Sequence, residues 1–225
     1  MEGNRMRTEN SVMSGTETGG MNPNIYFLLG CPCAGKTTVG KTLAEKYDMY
    51  YFGGDSRRFD YYKLAEKGKH PFMTADTSGF WGWTLDEMTA WEKGVISEQT
   101  PFILADLNEL SKCNASVLFD GMLDLDIVSK IIPGNQILYL TVARATCERE
   151  FFARADHSGM VENIMSTPGI DEAEKRRRIT VRRQAAINAF YENAEGFGIK
   201  TLMREDTKSA EDMAERAANY FGLTR

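Results

Sequence analysis

A chain of 225 residues is long enough for one α/β domain with a sizeable core and an inserted subdomain. Hydrophobic residues make up 42% and charged residues 26%, the balance of a soluble globular protein, and no apolar run approaches the roughly 20 residues of a membrane helix. The net charge of −5 excludes a global basic field for nucleic acid, although a local arginine cluster could still hold phosphate.

Residues 1–22 are rich in Gly, Ser, Thr, Asn and Glu and carry no periodic apolar face. They read as a flexible tail without the apolar segment of a secretory signal, and Met21 offers a second start. One domain is expected over residues 23–225. The four cysteines, Cys31, Cys33, Cys113 and Cys147, lack the spacing of a disulfide framework. With no export signal, a reducing cytoplasm is the expected compartment.

"NIYFLL" (Asn24 to Leu29) is a short apolar run that reads as a buried parallel strand. After a glycine-bounded loop, Val39, Leu43 and Tyr47 recur every four residues and mark one helix face. "MYYFGG" (Met49 to Gly54) is a second strand, ended by two glycines and Asp55. Strand, loop, helix and strand in this order make a βαβ unit and imply a parallel sheet.

From residue 56 to 114 the pattern turns helical and irregular. Thr84 to Glu87 ("TLDE") is a capping box opening a helix through Trp91. Thr100 and Pro101 predict the cap and first turn of another helix, on which Ile103, Leu107 and Leu110 share a face. "ASVLFDG" (Ala115 to Gly121) and "QILYLTV" (Gln136 to Val142) are the third and fourth strands. A helix follows from about Thr146, and a long one runs from about Asp171 to Ala194. "IKTLM" (Ile199 to Met203) is a last strand, and Ser209 caps a final helix through Tyr220. The order predicts an α/β architecture with about five parallel strands.

Between the first strand and the first helix lies Gly30-Cys31-Pro32-Cys33-Ala34-Gly35-Lys36-Thr37, which fits GxxxxGK[ST] at every fixed position. Backbone N–H groups of such a loop, with the following helix dipole, bind a polyphosphate. Lys36 is then expected to reach the β- and γ-phosphates and the Thr37 hydroxyl to bind Mg²⁺, with Thr38 completing the contact to nucleotide. Cys31 and Cys33 occupy variable positions that act through their backbone. A metal site at this CxC would need two further ligands, and His70 and His157 stand alone and distant.

No Asn/Thr-Lys-x-Asp base-reading motif of a GTPase follows a late strand. With Asp55 after the second strand, Asp120-Gly121 after the third and "EREFFAR" (Glu148 to Arg154) after the fourth, residues 24–222 resemble the small P-loop kinases. These include nucleoside-monophosphate, shikimate and gluconate kinases and their antibiotic- and toxin-type relatives. The resemblance implies a three-layer α/β/α P-loop fold, a helical acceptor insert over residues 56–114 and a lid over residues 155–175. It implies ATP and Mg²⁺ as cofactors and a small-molecule acceptor, with neither membrane nor nucleic acid as partner. By resemblance Asp55 holds the acceptor alcohol or acts as base, although it could equally cap the next helix. Arg57 and Arg58 would clamp an anionic part of the acceptor, or form a solvated face. Asp120 would hold the Mg²⁺ shell and Gly121 begin an acceptor loop. Arg149 would stack on adenine and Arg154 reach the transferred phosphate from the lid.

Among Arg176, Arg178, Arg182 and Arg183, at least one is expected to face the phosphates, with Arg178 and Arg182 favoured. Trp81, Trp83 and Trp91 either stack on the acceptor or form the insert's core. The expected activity is transfer of the γ-phosphate of Mg·ATP to a small-molecule hydroxyl or phosphate. The alternative is an ATP-binding protein or ATPase without an acceptor, its insert a partner-binding surface.

Overall fold

The computed structural model of the chain describes residues 21–154, 157–190, 194–205 and 208–224. Strand β1 (Ile25–Gly30) turns Phe27 and Leu29 to one face and Leu28 to the other, and all three are fully buried. A strand covered on both faces needs no polar alternation, which is why its sequence is an unbroken apolar run. Strands β2 (Tyr50–Gly53), β3 (Val117–Gly121), β4 (Ile137–Val142) and β5 (Lys200–Arg204) complete an all-parallel sheet of order β2-β3-β1-β4-β5.

On one face, α1 (Lys36–Lys46) and α8 (Ala210–Phe221) set Val39, Leu43, Met213 and Phe221 against Leu28, Leu118, Leu138 and Leu140. On the other, α3 (Leu85–Cys113) and α4 (Leu125–Ile131) cover Phe27, Leu29, Phe119 and Tyr139 with Val95, Ile103, Leu107 and Val128. Each such fully buried side chain contributes about 1.5–3 kcal/mol of transfer free energy. The remaining helices are α2 (Arg58–Leu64), α5 (Arg144–Glu150), α6 (Ser158–Met165) and α7 (Glu172–Phe190). Helix, sheet and helix layers with a glycine loop after β1 make the expected three-layer α/β/α P-loop fold. Among the described residues no helix is long and apolar enough to cross a membrane.

The expectation of a helix start at Thr100 is overturned. α3 runs unbroken from its capping box, in which Glu87 N–H donates to Thr84 Oγ1 at 3.3 Å and Thr84 N–H donates to Glu87 Oε2 at 2.8 Å, through Pro101 to Cys113. Proline at 101 has no N–H for the carbonyl of Ser97, which costs the helix one bond. Burial of Ile103, Leu104 and Leu107 on both sides of the next turns holds the helix across the gap. Thr100 is fully buried and serves a different purpose: its hydroxyl donates to Ile96 O at 2.8 Å and accepts from Asp124 N–H at 2.9 Å, tying α3 to the segment after β3. The starts of α5 and α7 fall within the two to four residues by which helix boundaries read from sequence drift, and residues 191–193, before the expected end of α7 at Ala194, lie outside the described residues. Most of the expected tail, and Ala155 and Asp156 of the expected lid, lie outside the described residues; the rest of the lid contains α6.

Since all five strands run the same way, their carboxyl ends share one edge. Register places Leu29 of β1 beside Gly121 and Gly53 of β2 beside Asp120. The chain leaves β1 for β2, returns to β3, then passes to β4 on the opposite flank of β1. That reversal opens a crevice outside the carboxyl end of β1, where ligands of open α/β sheets bind.

Candidate active site

Gly30 leaves β1 with φ 143°, and a Cβ there would lie 1.9 Å from the carbonyl oxygen of Leu140. Only glycine fits so close to a neighbouring strand. Gly35, at φ 84°, is the N-cap of α1 and has no side chain to cap it. The N–H groups of Gly35, Lys36, Thr37 and Thr38 therefore have no acceptor within the helix. With the positive end of the α1 dipole behind them, they make an anion site. The Lys36 ammonium donates to Cys31 O at 2.9 Å, which holds its charge over the same loop.

Thr37 Oγ1 donates to Asp120 Oδ2 at 2.8 Å, and Tyr51 OH donates to the same oxygen at 2.7 Å. Burial, and then the Asp120 carboxylate that its hydroxyl serves, push the Tyr51 phenol well above its ordinary pKa. Its proton stays in place, and Asp120 is held by two donors from β2 and α1. A hydroxyl and a carboxylate side by side are hard oxygen donors. Two protein donors suit Mg²⁺, which keeps several waters and completes its shell with substrate phosphates.

Lys36, Thr37, Asp55, Arg58, Asp120 and Arg154 line one cleft of about 330 Å³, with Gly30, Pro32 and Gly121 on the same walls. Six sequence-predicted side chains from five separate segments thus converge. A second recess of about 270 Å³ on the other side of Lys36 is bounded by Cys33, Gly35, Thr38, Glu150, Arg154 and Arg204. Arg154 and Lys36 belong to both. Asp55 follows Gly53 and Gly54 at the end of β2, and its carboxylate makes no hydrogen bond or ion pair among the described residues. Gly53 and Arg57, not Asp55, occupy the cap positions of the turns that follow.

The side of the cleft toward α2, α3 and α7 is closed by a charge set. Glu92 of α3 is 1% exposed, with Arg182 Nη2 at 2.8 Å from Oε1 and Arg58 Nη2 at 3.6 Å from Oε2. Burial opposes the charge of Arg58, but Glu92 and its other neighbours more than offset that, and its pKa is raised. The Arg182–Glu92 contact is close but poorly aligned, so Glu92 Oε1 and Arg182 Nη1 are buried without a hydrogen bond. Such unsatisfied atoms are rare in folded proteins, and here two of them belong to residues of the cleft wall.

Other predicted residues lie elsewhere. Arg57 pairs with Asp106 at 2.9 Å and lies over the Tyr61 ring, outside the cleft. Arg149 is largely exposed, pairs with Glu150 at 3.2 Å and lines neither recess. Arg178 pairs with Glu174 at 2.8 Å, Arg183 donates to Glu148 O at 3.3 Å and Arg176 faces outward. Of the α7 arginines weighed from the sequence, only Arg182 reaches the cleft. Trp81, Trp83 and Trp91 do not line it; Phe80 packs edge-on against all three at 5.1–5.3 Å, so they form a half-buried aromatic cluster within the insert.

Sequence reasoning passed over Tyr51, Glu92 and Arg204, and set His157 aside although it lines the cleft. Arg204 Nη1 donates to Cys33 O at 2.6 Å and to Glu150 Oε2 at 2.9 Å, bracing the loop from β5. Its signal was available: it is the last residue of a parallel strand, at the edge where ligands bind. Glu92 gave no signal, being one acid among several on a helix.

No family model and no curated protein matches the chain. Among solved structures it is similar to shikimate kinase from Acinetobacter baumannii in complex with shikimate, with 18% identity and a TM-score of 0.38 over 86% of this chain and 89% of that one. It is also similar to a sugar kinase from Janibacter sp., with 12% identity and a TM-score of 0.40 over 88% of this chain and 94% of that one. A third similarity is to shikimate kinase from Bacteroides thetaiotaomicron, with 17% identity and a TM-score of 0.37 over 88% of this chain and 98% of that one. These likenesses concern the fold alone. The sheet order and glycine loop of this chain establish its P-loop fold independently.

Proposed function

We propose that the protein is an Mg·ATP-dependent phosphotransferase whose acceptor is a hydroxyl of a small molecule. The observation that carries this reading is one cleft in which Lys36, Thr37 and Asp120 stand opposite an Asp55 carboxylate that makes no hydrogen bond or ion pair among the described residues. Phosphoryl transfer passes through a loose transition state, so catalysis is positioning plus positive charge. Mg²⁺ held by Thr37 and the Asp120 shell would supply part of that charge at the β- and γ-phosphates. The loop from Gly30 to Thr38 binds the nucleotide phosphates, and Lys36 turns from Cys31 O toward them. Arg154, shared by both recesses, reaches the group in transit and helps exclude water. Asp55 orients the acceptor hydroxyl and takes its proton late in the step.

A hydroxyl is favoured over a phosphate acceptor by the charges on that side. Asp55 would repel a phosphate, and Arg58 and Arg182 are already engaged by Glu92. An ATPase without acceptor would have no use for a cleft that extends past the loop to α2, α3 and α7.

The test is ATP consumption across a panel of hydroxylated metabolites. Acceptor-dependent ADP release is expected, and acceptor-independent hydrolysis as the sole activity would overturn the reading. Asp55→Asn should bind ATP within about twofold of the parent while losing about 10²–10⁴-fold in transfer rate. An unchanged kcat would remove Asp55 from the chemistry.

A further inference from the structure

Phosphoryl transfer uses none of the sulfur packed under the phosphate loop. Cys31 and Cys147 are fully buried and Cys33 is 9% exposed. Cys147 comes from α5, far from the loop in sequence, yet its Sγ donates to Pro32 O at 3.3 Å. Pro32 directly precedes Cys33, so this bond brings Cys147 up to the loop beside Cys33, and both belong to the same buried cluster. Two thiols from separate elements thus lie near each other beneath a functional loop.

The pair is asymmetric. The neighbouring Cys147 thiol and, against the cost of burial, the Arg154 guanidinium lower the pKa of the Cys33 thiol, whereas Cys147 is pushed up by the same neighbour and by burial. A thiol of lowered pKa, next to a second thiol that can attack it once oxidised, is the arrangement of a redox-sensitive cysteine. Access is present as well, because Cys33 lines the recess of about 270 Å³ beside Gly35 and Lys36. Its backbone, at φ 64°, sits in the left-handed region that non-glycine residues rarely adopt.

We propose that Cys33 and Cys147 form an oxidisable dithiol, the site at which a small hydroperoxide modifies the protein and shuts the phosphate loop. The Cys33 thiolate attacks one peroxide oxygen, the O–O bond breaks, and the departing hydroxide takes a proton to leave as water. Cys147 then attacks the resulting sulfenic acid; the S–S bond forms, the S–O bond breaks, and the hydroxyl leaves as water with the Cys147 proton. The sulfurs lose two electrons and the peroxide gains them. The new bond draws residue 33 toward α5, while Arg204 holds the Cys33 carbonyl from the β5 side. The loop cannot satisfy both and keep its N–H groups convergent. Bound nucleotide fills the recess and shields Cys33.

The loss of nucleotide binding rests on the proposed function; the disulfide itself does not. The test uses the full chain with the exposed Cys113 changed by Cys113→Ser. After treatment with hydrogen peroxide, non-reducing peptide mapping should show Cys33 joined to Cys147. Affinity for a fluorescent ATP analogue should fall at least about tenfold and return with dithiothreitol. Mg·ATP present during oxidation should slow the linkage. Cys147→Ser should bind the analogue normally before oxidation and then progress irreversibly to a Cys33 sulfinic acid. Peroxide that oxidises neither cysteine, or that joins other cysteines instead, would overturn the site, and a mapped Cys33–Cys147 bond with unchanged affinity would overturn its effect. If the reduced protein fails to bind the analogue, the nucleotide reading falls while the peptide map still decides the dithiol.

Discussion

The loop that borders the cleft is one continuous segment, Gly30 to Thr38, whereas the wall proposed to hold the acceptor draws Arg58 from α2, Glu92 from α3 and Arg182 from α7. The first works through backbone N–H groups, a helix dipole and glycines whose φ values fix the turn. The second works through long side chains whose charges are balanced against each other in a buried place. Local chemistry constrains the sequence at fixed spacing, and distributed chemistry does not. One side of the cleft therefore announces itself in the sequence, and the other becomes visible only when the helices are packed.

The largest expected effect lies on the phosphate side. Lys36→Ala removes the one side-chain cation that the loop itself supplies, and its hydrogen bond to Cys31 O is a contact the fold can lose cheaply. Phosphate transfer should fall by at least about 10²-fold, as when a positioned donor to a charged transition state is removed, while urea unfolding shifts little. Near-parent turnover would break the contrast, since the loop would then be only a tight turn. The acceptor side should answer in the opposite way. Glu92→Ala leaves Arg58 and Arg182 without their shared counter-ion in a site where Glu92 was 1% exposed. Stability should drop by about 3 kcal/mol, the lower end for breaking a buried ion pair because Arg58 keeps some solvent contact. Glu92→Gln keeps hydrogen-bonding capacity and should lose less. Affinity for an ATP analogue should hardly change in either variant, and unfolding midpoints equal to the parent would show that the charge set does not hold the wall.

The same contrast explains what could be read in advance. Five parallel strands, the order of the elements and the glycine loop all follow from short apolar runs and fixed spacings, and the fold has them in that order. Asp55 and Asp120 were found because each ends such a run, and strand ends in a parallel sheet meet at one edge. Arg57 and Arg58 are neighbours with the same chemistry, and nothing in the local pattern says which one turns to the cleft. Packing decides: Arg57 meets Asp106 on one side of α3 and Arg58 meets Glu92 on another. Pro101 misled for a related reason. A proline after a threonine reads as a helix start, but apolar contacts of α3 with the sheet override the lost hydrogen bond. Sequence rules report local preference, and tertiary burial has the final say where the two conflict.

The smallest expected effect sharpens the comparison from within the insert. Thr84 opens α3 with a reciprocal capping box whose groups are exposed, well before the helix reaches Glu92. Thr84→Ala removes one cap of a long helix that is otherwise held by burial on the sheet. The cost should be about 1 kcal/mol, and Thr84→Ser should recover most of it. Because the phosphate loop shares no segment with α3, affinity for an ATP analogue should be unchanged. Acceptor KM should rise only if fraying travels along the first turns to Glu92, and hydrogen exchange at Met88 and Val95 measures that directly. Slow exchange at Val95 with a normal acceptor KM would confine the cap to local stability. Fast exchange there, with KM raised and kcat kept, would place the rigidity of α3 among the conditions for reading the acceptor.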